Sequence, residues 1–428
     1  MRLELGNIQI DDVQFGDKTE VKNHTLYVNK EELIALLSED DQLAKVDVKL
    51  AHPGESIRIM PVKDVIEPRV KVFGPGGVFP GFISGEEQVG SGRTHVLKGA
   101  TVVTAGEVVG FQEGIIDMTG PGAEYTPFSK THNIVILADP VEGLEKHKHE
   151  AALRMMGLKA ATYLGEAGRD VEPDEIKDYE VAPLLENVSK YPDLPKVAYV
   201  YMLQSQGLMH DTYYYGIDVK EMVPTIMYPT EAMDGAIVSG NCVSACDKNT
   251  SYHHQNSPVI YELLEKHGKE ICFVGCIITN ENVTLADKNR SSNMVAKLVE
   301  FLGPDGAVVS EEGFGNPDAD LIMNCNKIES LGVKTVLLTD EYAGRDGASQ
   351  SLADSSPKAD AVVTAGNANE VIELPPMDIL IGNNEPADKI AGGFDGSLKS
   401  DGSIIVEIQA ITGATNELGF NKLTAREF

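Results

Sequence analysis

From residue 196 onward, compact apolar runs alternate with segments of helical spacing. The runs KVAYVYMLQSQ, EMVPTIMY, ICFVGCIITN, GAVVS, VKTVLLTD, ADAVVTAG and DILIG are interleaved with SPVIYELLEKHGK, NRSSNMVAKLVEFLG and PDADLIMNCNKIESLG. Strand, helix and strand in repetition predict a mainly parallel sheet flanked by helices, an α/β arrangement in which ligand sites gather beyond the strand C-termini. No G-x-G-x-x-G follows any run and no G-x-x-x-x-G-K-[ST] occurs, so nothing supports a nucleotide cradle.

The first 140 residues read differently. LELGNIQIDDVQF, TLYV, KVDVKL, IRIMPV, RVKVF, HVLKGATVVTAGEVVGF and NIVILADP are short β-type runs separated by turn signals. Phe73 to Gly81, FGPGGVFPG, holds too much Gly and Pro for regular structure and is expected to be a loop, either a connector or a segment close to a ligand or partner. Residues 141–167 place Ala, Leu and Met at helical spacing and predict one long helix. His147 and His149 fall in it two apart, on different faces, and are expected to be solvated. A charged, Pro-containing stretch then leads to a division into a β-rich N-terminal domain (1–170) ending in the long helix, a linker (171–195), and an α/β domain (196–428).

A chain of 428 residues with 42% hydrophobic content can bury two or three cores. Its formal charge of −30 leaves too few cations to displace counterions from a nucleic acid, so a small substrate or a protein partner fits better. No segment approaches the roughly 20 apolar residues of a membrane span, and the opening MRLELGNIQIDD has no signal-peptide pattern. Five cysteines, Cys242, Cys246, Cys272, Cys276 and Cys325, form a poor disulfide framework but suit reduced, reactive thiols, which implies a reducing, cytoplasmic setting.

Chemistry concentrates in Met233–Lys248, MDGAIVSGNCVSACDK, and continues through His253 and His254. Cys242 follows Asn241 and flexible Gly240, so its thiolate can swing onto the peptide bond before it and form a thioester. β-Elimination would release the upstream chain and leave dehydroalanine, which tautomerises and hydrolyses to an N-terminal pyruvoyl group. Such a carbonyl condenses with an amine and acts as an electron sink. By spacing alone the alternative reading, an ordinary loop, stays open.

The segment 235–258 resembles the processing site of the glycine/sarcosine/betaine reductase protein B proprotein family. The likeness extends over nearly the whole chain: MRLELG, VKDVIEPRVKV, GSGRTH at 90–95, VGFQEGIIDMTGP, YMLQSQGLMHDTYYYG at 201–216, IITNEN at 277–282 and NKLTARE. The resemblance implies cleavage between Asn241 and Cys242, a pyruvoyl group from Cys242 as cofactor with no metal or nucleotide, and reductive C–N cleavage of a small amino acid. It further implies a hetero-oligomer with a selenoprotein subunit of protein B. Selenoprotein A would receive the carboxymethyl group, protein C would release acetyl phosphate, and thioredoxin would act indirectly.

Around this point Cys246 could assist the acyl shift or be a buried loop thiol, and Cys272 and Cys276 lie in an apolar run where sulfur usually fills core. A zinc reading of these cysteines with His253 and His254 competes but is disfavoured, so no metal is expected. His253 and His254 are candidates for proton transfer, and being adjacent at most one should face the site. Gln204, His210, Asp211 and Tyr214 form a polar, hydroxyl-rich stretch suited to carboxylate or ammonium recognition, or to a packed turn. Glycine and sarcosine can form an imine or iminium, whereas quaternary betaine cannot. With no Trp, a trimethylammonium cage would fall to Tyr213, Tyr214, Tyr215 and Tyr252. The expected amine is therefore glycine, with sarcosine or betaine as alternatives; the rival of another class is an uncleaved binding scaffold.

Overall fold

The computed structural model describes residues 1–207, 209, 212–240 and 249–419. The chain is a mixed α/β protein built around two six-stranded sheets and a four-stranded one. The C-terminal sheet has the order Thr225–Met227, Cys272–Asn280, Lys196–Leu203, Gly306–Ser310, Lys334–Glu341, Ala361–Asn367, and only its Thr225–Met227 edge runs antiparallel. Helices Leu285–Leu302 and Asn316–Glu329 pack on it. The first starts on Thr284, whose side chain accepts from the Asp287 amide and so satisfies one of the free donors of the first turn. Cys272, Cys276 and Cys325 are buried and free. Cys272 and Cys325 belong to one core and Cys276 to the other, so their sulfurs fill space on the two faces of the sheet.

In the N-terminal half, Gly114–Asp117, Ile57–Ile66, Ala100–Ala105, His132–Pro140 and Leu43–Ala51 pair in that order, and Glu175–Glu180, Arg2–Gln9, Gly92–Lys98 and Arg69–Phe73 form the four-stranded sheet. The predicted long helix is Lys146–Glu166. Its Leu153, Met156, Ala160 and Leu164 share a core with Ile66, Leu97, Val102 and Ile134. The approach is close enough that a Cβ at Gly165 would stand 2.3 Å from the Arg69 carbonyl oxygen.

Two expectations need correction. His149 is not solvated: it is buried beside the Lys63–Glu113 ion pair, and burial together with the lysine charge pushes its pKa down. The run DILIG is a strand, Ile379–Gly382, but it joins the N-terminal sheet, parallel to Ile57–Ile66, and not the C-terminal one. The acidity of the chain is not all solvated surface, because Glu281, Glu311, Glu312 and Asp340 are buried where strands of the parallel sheet end. Among the described residues no helix is long and apolar enough to cross a membrane.

Candidate functional site

Strand Ile237–Ser239 leads into buried Gly240, and the described chain resumes at buried Asn249 and Thr250, ahead of the short helix Ser251–Gln255. Asn241, Cys242 and Cys246 lie outside the described residues, as do His210 and Asp211. Both flanks of the gap are held tightly. The Ser239 amide donates to Ser251 Oγ at 3.0 Å, and Ser251 donates from its amide and hydroxyl to the two oxygens of Asp64, at 2.9 and 2.6 Å.

The clamp comes from two stretches of the N-terminal half. The Glu67 amide donates to Gln255 Oε1. Arg69 donates to Glu67, to the carbonyls of Met233 and Gln255, and to Asn256 Oδ1. Lys71 pairs with Asp234, which also accepts from the Gly90 amide and from Thr94 Oγ1. Thus VKDVIEPRVKV and GSGRTH supply the charged framework around 233–256. All four ionic side chains are buried, and each has a charged or hydrogen-bonding partner, as burial demands.

On the other side stands Glu312, fully buried just past the strand Gly306–Ser310. Its Oε1 accepts from the Asn249 amide at 2.8 Å and its Oε2 from the Gln204 amide at 2.8 Å, while its own amide donates to Glu281 Oε1 at 3.0 Å. Asn249 also donates to Glu417 and accepts from Asn416. The hub lies beyond the C-terminal ends of the parallel strands, where α/β sheets place their ligands. Burial and then the Glu312 charge hold the Glu281 pKa well above the carboxylate range; burial and then Asp318 do the same at Glu311.

The two histidines turn different ways, as neighbours on a helix must. His253 Nδ1 accepts from the Thr250 amide at 3.1 Å, which in the neutral ring places the proton on Nε2. Burial, with a smaller push from His254, lowers its pKa to about 3. Its ring lies against Phe128 and Gly413. His254 belongs to the hub: Nδ1 meets the Tyr201 hydroxyl at 2.7 Å and Nε2 stands 3.8 Å from Glu312 Oε1.

Gln204 reaches the hub through its backbone amide, while its side-chain oxygen accepts from the amides of Ser205 and Gln206. Tyr214 does not join it, since its hydroxyl donates to Glu231 at 2.8 Å, beside that of Tyr215. Tyr213 lies under Arg154 and Tyr252 against Phe128, so the four tyrosines face three different neighbourhoods and form no shared cage. Among the described residues none of the cysteines joins His253 or His254 in a group able to hold a metal. A cleft of about 450 Å³ opens elsewhere, lined by Lys45, Lys49, Asp139 and His149, and no hub residue lines it.

Sequence reasoning missed Asp64, Tyr201, Glu281, Glu312, Asn249 and Glu417. Two of the six carried a readable signal: acids directly after apolar runs, as in GAVVS-Glu-Glu and ICFVGCIITN-Glu, mark strand C-termini.

The family model described as glycine/sarcosine/betaine reductase component B subunits matches residues 1–426. The chain is 68% identical over 430 residues to the glycine reductase complex component B subunits alpha and beta of Acetoanaerobium sticklandii, and 68% identical over 428 residues to the protein so named in Peptoclostridium acidaminophilum. It is 61% identical over 426 residues to the sarcosine reductase complex component B subunit alpha of the latter organism. Each alignment covers 100% of both chains. No solved structure matches the chain.

Proposed function

The chain belongs to the family of glycine/sarcosine/betaine reductase component B subunits, and from that premise we propose that it is a precursor cut between Asn241 and Cys242, leaving a pyruvoyl group at residue 242. The observation that carries this reading is the double clamp on the flanks: Ser239 is tied to Ser251 and Ser251 to Asp64, and Asn249 to Glu312, with Gly240 and Asn249 both buried. Fixed, buried flanks suit an intramolecular acyl shift, where positioning supplies much of the rate. A relative that carries two subunits, alpha and beta, in one chain of matching length supports the same reading.

When present, the pyruvoyl carbonyl supplies an electrophile and electron sink for an amine. The surrounding residues have separate tasks. Glu312 holds the downstream flank, and His254, between Tyr201 and Glu312, moves protons at its Nε2. His253 caps the helix and stays neutral. Cys246 assists the acyl shift. Gln204, His210 and Asp211 contribute to the amino-acid site, and Tyr214 supports its wall through Glu231. The substrate is glycine, an assignment supported by 68% identity to the glycine members against 61% to the sarcosine member and by the separated tyrosines.

In this reading the chain is the substrate-specific part of a cytoplasmic reductase complex. It works with the selenoprotein subunit of protein B, with selenoprotein A and protein C, and indirectly with thioredoxin. The regions 1–170 and 196–428, joined by 171–195, act as its β-rich and α/β domains, with Glu175–Glu180 of the connection and Ile379–Gly382 of the second region completing sheets of the first.

Expression with the partner subunits, followed by intact mass and a denaturing gel, tests the proposal. Two fragments are expected, the smaller beginning at residue 242 and blocked to Edman degradation, and Cys242→Ala should remain full length and inactive. A single full-length species in active, reconstituted material would instead establish the scaffold reading. Turnover assays with glycine, sarcosine and betaine then decide the amine.

A further inference from the structure

Away from that hub, three strands bring together Asp12, His52 and His132. Asp12 opens the strand Asp12–Phe15, His52 follows Leu43–Ala51, and His132 opens His132–Pro140. The antiparallel register pairs Asn133 with Ala51, which sets the two histidines opposite each other at the edge of the six-stranded sheet.

Their geometry is that of a ligand set. His52 Nδ1 and His132 Nδ1 stand 2.9 Å apart, and Asp12 Oδ1 stands 3.7 Å from the first and 4.0 Å from the second. A triangle with those sides has its centre about 2.1 Å from every corner, the length of a Zn–N or Zn–O bond. The carboxylate is oriented from behind, since Oδ1 accepts from the Val13 amide at 2.9 Å and Oδ2 from Gln14 Nε2 at 2.6 Å, the outer support that metal ligands require. The side chains keep 40%, 27% and 16% of their surface exposed, in the order Asp12, His52, His132, so an ion can enter and water can complete its shell.

We propose that Asp12, His52 and His132 form a binding site for a divalent first-row metal ion, zinc being the choice that two imidazoles and a carboxylate favour. The site departs from the metal-free expectation drawn from the cysteines, because its donors are far apart in sequence and contain no sulfur. The ion pins the small sheet of Asp12–Phe15, Glu20–Lys22 and Thr25–Val28 to the edge strand Leu43–Ala51.

The test uses the untagged full chain, stripped with a chelator and titrated with Co²⁺. One equivalent is expected to saturate visible d–d bands without a thiolate-to-cobalt band in the near ultraviolet, and Zn²⁺ should displace it. His52→Gln and His132→Gln should each weaken binding by at least about 100-fold. The native titration stands whether or not the variants fold. Failure of the native chain to bind one saturable equivalent leaves only a hydrogen-bonded histidine pair and overturns the site. A thiolate band, or binding unchanged in both variants, places the ion elsewhere and overturns it equally.

Discussion

Glu312 accepts from two backbone amides, Asn249 on the downstream flank and Gln204 at the end of another strand, so a single carboxylate sets the spacing between two loops. In Glu312→Gln one of those N–H groups would face an NH₂, leaving a buried donor without an acceptor at a cost of about 1–3 kcal/mol. Denaturant unfolding should show that loss, and mass spectrometry should show slower cleavage at 241–242. His254→Ala removes the ring between Tyr201 and Glu312 and should slow the same cleavage by about 100-fold, the lower end for a lost acid–base group. His253 gives a pH signature. Its folded pKa of about 3 lies below the ordinary 6.5, so the unfolded chain takes up a proton that the fold refuses. Its contribution is intact above pH 6.5 and is lost as the pH falls from there toward 3, about 5 kcal/mol in all. Thermal midpoints measured across that range should fall less steeply in His253→Gln, whose side-chain oxygen can still accept from the Thr250 amide.

Among the elements, the glycine-rich segment is a loop from Gly74 to Gly81, as its composition predicts, with Phe73 closing the strand before it, and the partner it lies close to is the chain itself. Gly81 has φ +79°, and a Cβ there would stand 2.2 Å from the Tyr215 carbonyl oxygen. Gly81→Ala therefore meets both a steric clash with backbone and a left-handed conformation, and should cost more than about 2 kcal/mol, read as a lower denaturant midpoint at unchanged slope. The helices and the parallel strands were legible because their apolar spacing is local. Strand partners were not: Ile379–Gly382 reads like any other apolar run, and its pairing with Ile57–Ile66 depends on contacts more than 300 residues distant.

On the scale of the whole molecule, the proposed cut falls inside an interwoven structure. Lys196–Leu203, before residue 241, pairs with Cys272–Asn280 and Gly306–Ser310 after it, and Asp64, Glu67 and Arg69 hold Ser251, Gln255 and Asn256 across the same divide. The two fragments should therefore elute together on native gel filtration after cleavage and separate only in denaturant. Two peaks under native conditions would show that the sheet does not survive the cut.

What the sequence determined alone was local or chemical. Period and run length set the helices and the parallel sheet, and Gly-Asn-Cys is the local pattern on which the proposed cleavage rests, because both depend on neighbours along the chain. Burial and partnership came from the fold. Asp64, Glu312 and Tyr201 are ordinary letters in sequence, and only packing removes water from them and fixes their distances to Ser251, Asn249 and His254. The same holds for Asp12, His52 and His132, whose nitrogens and oxygen meet because strand register, a long-range property, brings three separate segments to one edge.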